Sequence, residues 1–219
     1  MRPLQGSLIG FGEPALDVAA GFERVVLDGH SWVDCARGWL RGADTVCSHL
    51  IETVDWRQGR RLMYDRWLDE PRLSRWYRRD DVVPHPVVAA CRSALERRYR
   101  VRLAGPGLNF YRDGRDSVAS HRDTELRHLD DTLVCVVTLG ARRPFLLRPR
   151  GGGLSLDLSP GSGDLLVMGG CAQRDWEHAV PKVANAGPRV SASWRWSSHT
   201  GPRRPRPVWR ASERPATSR

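Results

Sequence analysis

The part of the chain that follows Gly107 is a succession of short apolar segments separated by turn residues. Eight such segments occur in order: LNFYR, SVASH, TLVCVVTL, PFLLR, LSLDL, DLLVM, WEHAV and RVSASWRW. Short strands at this spacing are typical of antiparallel sandwiches and barrels, because parallel strands need a long crossover between them. The pattern therefore predicts a jelly roll over residues 107–199.

The region before these strands carries the predicted helices. One helix is expected from Asp44, which can cap the first turn, and another from Pro86, which the first helical position tolerates. A first strand is expected over residues 22–27, and residues 56–86, which mix arginine with tryptophan and tyrosine, predict loops and short strands. The expected class is α+β, with the N-terminal helices packed on one side of the jelly roll.

The 219 residues suit one domain with short appendages. Residues 1–20 hold few large apolar side chains and predict a flexible arm, and residues 21–106 predict the helices together with a lid over the site. Residues 200–219 are rich in proline and arginine and predict a disordered basic tail.

The charge balance points to a polyanionic partner. The formal net charge is +10 and the isoelectric point is near 10.4. Nucleic acid is the leading candidate for such a chain. The alternative is an arginine-rich composition that has no binding role.

Cysteine usage indicates a reducing compartment. The five cysteines are widely scattered, and no two of them have the C-x-x-C spacing of a zinc or redox motif. Neither a signal peptide nor an apolar run of membrane-spanning length is present. A cytoplasmic monomer without membrane contact is the expectation.

The segment HRDTE, residues 121–125, carries the first candidate ligands. His121 and Asp123 lie two residues apart, so on an extended chain both side chains point to the same side. An imidazole and a carboxylate supply two thirds of the face of two histidines and one carboxylate that holds non-haem Fe(II). A solvated turn is the alternative for so short a motif.

A second histidine must complete this face. His178, in DWEHAVPKV, lies late in the strand region, where a jelly roll can bring it to the same end of the barrel as His121. His128 is the competing candidate, although its polar neighbourhood, LRHLDD, is typical of a surface loop.

The last strand segment, RVSASWRW, places Arg189, Arg195 and the two serines between them on one face. Two inward arginines are costly without anionic partners, and a dicarboxylate would satisfy both. Asn109 and Tyr111 also share a face and can donate hydrogen bonds to the same ligand. The alternatives are an internal ion pair or a face that lies in water.

The order of these motifs along the chain is itself informative. N-x-Y-x-x-G, H-x-D-x-E, a distant histidine and R-x-S-x-S-x-R follow one another between Trp56 and Trp196. This order resembles the AlkB family of Fe(II)/2-oxoglutarate dioxygenases, and in particular its bacterial nucleic-acid-repair branch. The resemblance implies a double-stranded β-helix and implies that His121, Asp123 and His178 bind iron.

The resemblance also implies the co-substrate contacts. Arg189 would pair with the distal carboxylate of 2-oxoglutarate, helped by Asn109 and Tyr111, and Arg195 would meet the carboxylate nearer the metal. Glu125 would contact the exocyclic amino group of a damaged base, since cytosine N4 and adenine N6 are donors.

The implied reaction is oxidative demethylation of bases such as 1-methyladenine and 3-methylcytosine in alkylated DNA, with RNA as a further substrate. It consumes 2-oxoglutarate and O2 and releases formaldehyde, succinate and CO2. The target base must leave its stack, which favours single strands.

The expected lid departs from the family pattern. In EPRLSRWYRRDDVVPHP, Trp76 and Tyr77 are candidates for stacking on the base, but Arg78 replaces the family's glycine and no further aromatic follows before the helix. Two other interpretations therefore stay open: hydroxylation of a protein or small molecule, and a catalytically silent nucleic-acid-binding module.

Overall fold

Two antiparallel sheets face each other in the computed structural model of the protein, which describes residues 12–63 and 65–198. In chain order the strands and helices are β1 (Ala15–Leu16), β2 (Glu23–Val26), β3 (Ser31–Ala36), β4 (Leu40–Arg41), α1 (Ala43–Thr53), β5 (Arg57–Met63), β6 (Arg66–Trp76), α2 (Pro86–Tyr99), β7 (Gly107–Tyr111), β8 (Val118–His121), β9 (Thr132–Gly140), β10 (Leu146–Pro149), β11 (Leu156–Asp157), β12 (Leu165–Gly170), α3 (Ala172–Asp175), β13 (Trp176–Val180) and β14 (Arg189–Ser197).

The last eight strands form the predicted double-stranded β-helix. The larger sheet has the order β2-β3-β12-β9-β14-β7-β6-β5, and the smaller sheet has the order β11-β10-β13-β8. The eight strands after Gly107 thus divide between the two sheets, and each of them covers part of one predicted apolar segment. The expectation of an α+β jelly roll is confirmed.

Apolar side chains fill two separate layers. One layer lies between the large sheet and helices α1 and α2, with Leu50, Leu95 and Trp194 among its buried members. The other layer lies between the two sheets and contains Val136, Leu147 and other buried residues. The helices therefore cover the outer face of the large sheet, and the inner faces of both sheets are left to enclose a site.

The helix starts agree with the sequence in one case and differ in the other. Helix α2 begins at Pro86, and the ring nitrogen Nδ1 of His85 accepts a hydrogen bond from the Val87 amide at 3.2 Å. The prediction that Asp44 caps α1 is wrong. The helix starts one residue earlier, after Gly42 at φ 65°, and the Asp44 carboxylate accepts a hydrogen bond from the Ser162 hydroxyl instead.

The segment expected to form loops and short strands is a long hairpin. Strands β5 and β6 pair with each other, and β6 also pairs with β7. The hairpin therefore extends the large sheet beyond the jelly roll. The register shifts between Gln58 and Arg60, at Gly59, and β6 contains a proline, Pro71, which cannot donate a backbone hydrogen bond. These features break the alternation of apolar and polar residues by which a strand is recognised in sequence.

The segment predicted as an arm is partly held against the fold. Ala15 and Leu16 pair with Leu40 and Arg41, because the backbone groups of β1 find partners at the edge offered by β4. Residues 1–11 and the tail predicted over residues 200–219 lie outside the described residues. The five cysteines all lie in the described part of the chain, where they are buried and form no disulfide. None of the helices described is long and apolar enough to cross a membrane.

Candidate active site

The structure brings the three predicted iron ligands together. His121 is the last residue of β8, and His178 lies directly opposite it on β13. Asp123 follows two residues after β8, and one candidate ligand atom from each of the three residues lies within 4.8 Å of the others. Among the residues that the structure describes, no other group of this kind forms, and the exposed His128 lies against Arg127 instead.

The hydrogen bonds of His121 leave one of its nitrogens free for a metal. Its Nδ1 lies 2.9 Å from the carbonyl oxygen of Ala119, so Nδ1 carries the proton. The other nitrogen, Nε2, then presents a lone pair and lies 3.7 Å from Oδ1 of Asp123. A backbone carbonyl that fixes the tautomer of a histidine in this way is typical of metal sites.

His178 is held neutral inside the barrel. Burial, followed by the nearby His121, lowers the pKa of His178 to about 3. The ring is stacked on Phe145, with the ring centres 5.8 Å apart, and its Nδ1 has no hydrogen-bond partner among the described residues. A neutral imidazole is the form that binds a metal.

Asp123 supplies the negative charge of the group. Burial would raise its pKa, but the positive charge of Arg195 and the hydrogen bond that Arg195 donates outweigh burial and hold the pKa below its usual value. Arg195 Nε donates to Oδ2 at 2.7 Å, and the backbone amide of Asp123 donates to the side chain of the buried Gln173 at 3.0 Å. Two imidazoles and a carboxylate match the donor set of a non-haem Fe(II) site.

A cavity of about 210 Å³ opens beside the three ligands. Its wall contains predicted co-substrate and base contacts from four segments of the fold. Those residues are Trp76, Asn109, Tyr111, Glu125 and Arg195. The serines of β14 face the cavity with Arg195, as the alternation along RVSASWRW predicts.

Arg189 lies behind this wall. It is 0% exposed, and its guanidinium carbon is 5.3 Å from the ring of Tyr111, which lines the cavity. Its Nη2 donates to Thr138 Oγ1 at 3.2 Å, whereas Nε and Nη1 have no partner among the described residues. Burial lowers the pKa of Arg189 to about 10. Arg189 is not among the residues that line the cavity, but a buried cation with so few hydrogen bonds directly behind the cavity wall favours an anionic ligand nearby.

The mouth of the cavity is formed by Arg195, Glu125 and Trp76. Arg195 Nε is 3.4 Å from Glu125 Oε1, and its guanidinium carbon is 4.9 Å from the centre of the Trp76 ring. Glu125 lies on a turn, in which the amides of Leu126 and Arg127 donate to the Asp123 carbonyl. Glu125 therefore reaches the cavity wall from a turn and not from a strand.

Trp76 and Tyr77 have different surroundings. The Trp76 side chain is 54% exposed and lies flat against Gly107, where a Cβ atom would come within 2.4 Å of the indole. Tyr77 is the next residue on an extended chain and points the other way, toward the core under the helices. The structure therefore does not place Tyr77 at the cavity.

Four side chains at or beneath the site were not identified from the sequence. Arg72 lines the cavity and donates to the Asn109 carbonyl oxygen at 3.0 Å. Phe145 packs on His178, Gln173 holds the amide of Asp123, and the buried Arg143 lies beneath Tyr111. Arg72 carries a signal in hindsight, because it lies four positions before Trp76 on the same strand and therefore on the same face. The other three carry no such pattern.

Comparison with known proteins agrees with this geometry. Residues 43–206 match the family described as the 2OG-Fe(II) oxygenase superfamily. The alpha-ketoglutarate-dependent dioxygenase alkB homolog 3 of Mus musculus is 30% identical, over 84% of this chain and 77% of that protein. The DNA oxidative demethylase ALKBH2 of Arabidopsis thaliana is 32% identical, over 40% of this chain and 36% of that protein.

A solved structure shows the same fold. A prolyl hydroxylase from Trichoplax adhaerens superposes with a TM-score of 0.52 at 13% identity, covering 71% of this chain and 76% of the other. At that identity the likeness concerns the fold alone. The family match and the relative from Mus musculus go further. The chain therefore belongs to the AlkB family of the 2OG-Fe(II) oxygenase superfamily, and it is a dioxygenase that uses Fe(II), 2-oxoglutarate and O2.

Proposed function

We propose that this protein demethylates N-methylated bases, such as 1-methyladenine and 3-methylcytosine, in single-stranded DNA, with RNA as a further substrate. The observation that carries the proposal is the group of two histidines and one carboxylate beside a cavity whose mouth holds a second carboxylate and an exposed indole. Two relatives are named as an alkB homolog 3 dioxygenase and as a DNA oxidative demethylase.

Fe(II) is assigned to His121, Asp123 and His178. The fit rests on the fixed tautomer of His121, the depressed pKa of His178 and the ionised Asp123. With 2-oxoglutarate and O2, Fe(II) bound there supplies the oxidation of a substrate methyl group, with succinate and CO2 as co-products. The hydroxymethyl group then leaves the base nitrogen as formaldehyde.

2-Oxoglutarate is assigned to the part of the cavity beside Tyr111, behind which Arg189 lies. Arg189 has two buried N–H groups without partners, and the distal carboxylate is the anion that would satisfy them. Asn109 and Tyr111 line the wall between Arg189 and the metal ligands and add hydrogen-bond donors. Arg195, which already bonds Asp123, lies where it can meet the carboxylate nearer the metal.

The base is assigned to the mouth of the cavity. Glu125 is 61% exposed at its side chain, so its carboxylate is free to accept a hydrogen bond from the exocyclic amine of cytosine or adenine. Trp76 offers an aromatic face on which the base can stack. A base reaches this position only out of its helix, which is why single strands are favoured.

Glu125→Gln tests this assignment. The substitution keeps the shape of the side chain but replaces a charged acceptor with a weaker one and adds a donor that faces the amine. Repair of a methylated oligonucleotide is expected to fall while conversion of 2-oxoglutarate to succinate persists, because the iron ligands and Arg189 are unchanged. Repaired base and succinate are measured in the same reaction after anaerobic loading with Fe(II).

The matched control is Glu52→Gln on the exposed face of α1, which removes the same charge far from the cavity. Equal repair by Glu125→Gln and the parent would remove Glu125 from the site. If the parent forms succinate but repairs no methylated oligonucleotide, the substrate is a protein or a small molecule. If the parent forms no succinate, the chain is a silent nucleic-acid-binding module.

A further inference from the structure

An arginine-rich stretch, ERRYRVR, runs from the last turn of α2 into the loop before β7. Arg97, Arg100 and Arg102 are exposed in this stretch, and none of them makes an ion pair with a described residue. Arginine in the last turn of a helix offsets the helix dipole, and that accounts for Arg97. It does not account for Arg100 and Arg102, which lie beyond the helix.

The carboxylate closest in sequence is already in use. Glu96 pairs with Arg79, and Glu96 Oε1 also accepts the Leu103 amide at 2.8 Å. Burial would raise the pKa of Glu96, but the hydrogen bond from Arg79 and that from the Leu103 amide hold it below its usual value. The carboxylate of Glu96 is therefore not available to pair with the neighbouring arginines. Its hydrogen bond with the Leu103 amide also holds the loop after α2 in place.

The loop is fixed next to the cavity mouth. The Ala104 amide donates to the carbonyl oxygen of Arg195 at 2.8 Å, and Arg195 lines the cavity. Arg102 precedes Ala104 by two residues, which is roughly 7 Å of extended chain. Val101 and Leu103 are buried in the core under the helices, so the exposed Arg102 between them points away from that core.

A fourth arginine lies between this loop and the exposed indole. Arg78 is exposed, two residues after Trp76, and makes no ion pair with any described residue. Its backbone is pressed against Gly105, where a Cβ atom would come within 2.4 Å of the Arg78 carbonyl carbon. Two exposed aspartates follow it, Asp80 and Asp81, and the Asp81 carboxylate accepts the Arg78 amide at 2.7 Å.

We propose that Arg78, Arg97, Arg100 and Arg102, here called the arginine track, bind the phosphates of the single strand that flanks the target base. The proposal rests on the proposed function and adds to it the path that the strand takes from the cavity mouth along the end of α2. Arginine forks match phosphate geometry, and phosphate contacts position a strand without reading its sequence.

The test compares the parent with the triple variant Arg97→Gln/Arg100→Gln/Arg102→Gln on an unmethylated single strand of about fifteen nucleotides, a length within the usual site size. Dissociation constants are measured across a series of salt concentrations. Three lost phosphate contacts should lower the salt slope by about 2 and weaken binding about a hundredfold at 0.1 M salt. The matched control replaces the exposed Arg41, Arg115 and Arg142 with glutamine and removes the same charge elsewhere.

Substrate length provides the second readout. The KM for a methylated strand of about fifteen nucleotides should rise in the triple variant, whereas the KM for a methylated trinucleotide, too short to reach α2, should not. Because Arg97 lies in a helix, the double variant Arg78→Gln/Arg102→Gln, with both changes outside α2, repeats the measurement if the triple variant does not fold.

An unchanged salt slope in the triple or double variant would overturn the arginine track, and so would an equal fall in the control variant. The proposed function fails separately, if the parent repairs neither the trinucleotide nor the longer strand. If the parent binds the long strand through these arginines but repairs no methylated base, the arginine track is supported and the proposed demethylase activity is rejected.

Discussion

At the scale of single residues, each of the three proposed iron ligands is expected to be essential. His121→Ala, Asp123→Ala and His178→Ala are each expected to abolish Fe(II)-dependent succinate formation, because three ligands are the whole protein contribution to such a face. Loss of Fe(II)-induced thermal stabilisation should accompany the loss of turnover. His128→Ala is the matched control, since His128 is exposed and outside the group. An active His178→Ala variant would contradict the assignment.

Arg189 gives a second prediction at this scale. In Arg189→Lys a compact ammonium group replaces the planar guanidinium group. Two nitrogens of that guanidinium, Nε and Nη1, are buried and have no hydrogen-bond partner among the described residues. Losing one hydrogen bond to a charged group costs roughly 1.5–3 kcal/mol, so 2-oxoglutarate binding should weaken about tenfold or more. The measurement is calorimetric titration of the anaerobic Fe(II) enzyme. Arg41→Lys, at an exposed position of β4, should leave the titration unchanged.

At the scale of elements, the start of α2 depends on pH. The Nδ1 lone pair of His85 caps the Val87 amide, and burial together with the facing His49 lowers the pKa of His85, while Glu13 opposes the shift. A histidine whose pKa is lowered by folding stabilises the fold above its ordinary pKa of about 6.5 and loses that contribution as the pH falls.

The corresponding prediction concerns unfolding by urea above and below that pH. The free energy of unfolding should fall with the pH in the parent, and it should fall less in His85→Asn, whose amide oxygen can cap the helix without titrating. The difference is bounded by the strength of one helix cap, about 0.5–2 kcal/mol. An identical pH dependence in both proteins would show that His85 does not cap the helix in solution.

The elements also show where sequence reasoning works. The strands β7–β14 were predictable because each is a short apolar run bounded by turn residues, and α2 was predictable because Pro86 begins a clear apolar stripe. The hairpin of β5 and β6 was not, since a bulge at Gly59 and a proline at position 71 interrupt its alternation. The start of α1 was assigned to Asp44, whereas a left-handed glycine precedes the helix.

At the scale of the whole molecule, the jelly-roll fold brings residues from distant parts of the sequence together at one site. His121 and Asp123 were recognised from a spacing of two, and Arg189 and Arg195 from one strand face. By contrast, Gln173 and Phe145 reach the metal ligands only through the closure of the barrel. No periodicity in the sequence marks such contacts, because they depend on how one strand is registered against another.

That register has a consequence for the order in which the molecule can be built. His121 and His178 are cross-strand partners on β8 and β13, and the pairing shifts register immediately beyond them. The chain between them contains β9 to β12, so the contact is long-range in sequence, and contacts of this kind are associated with slower folding. The time at which Fe(II) binding returns during refolding would therefore report when the smaller sheet closes.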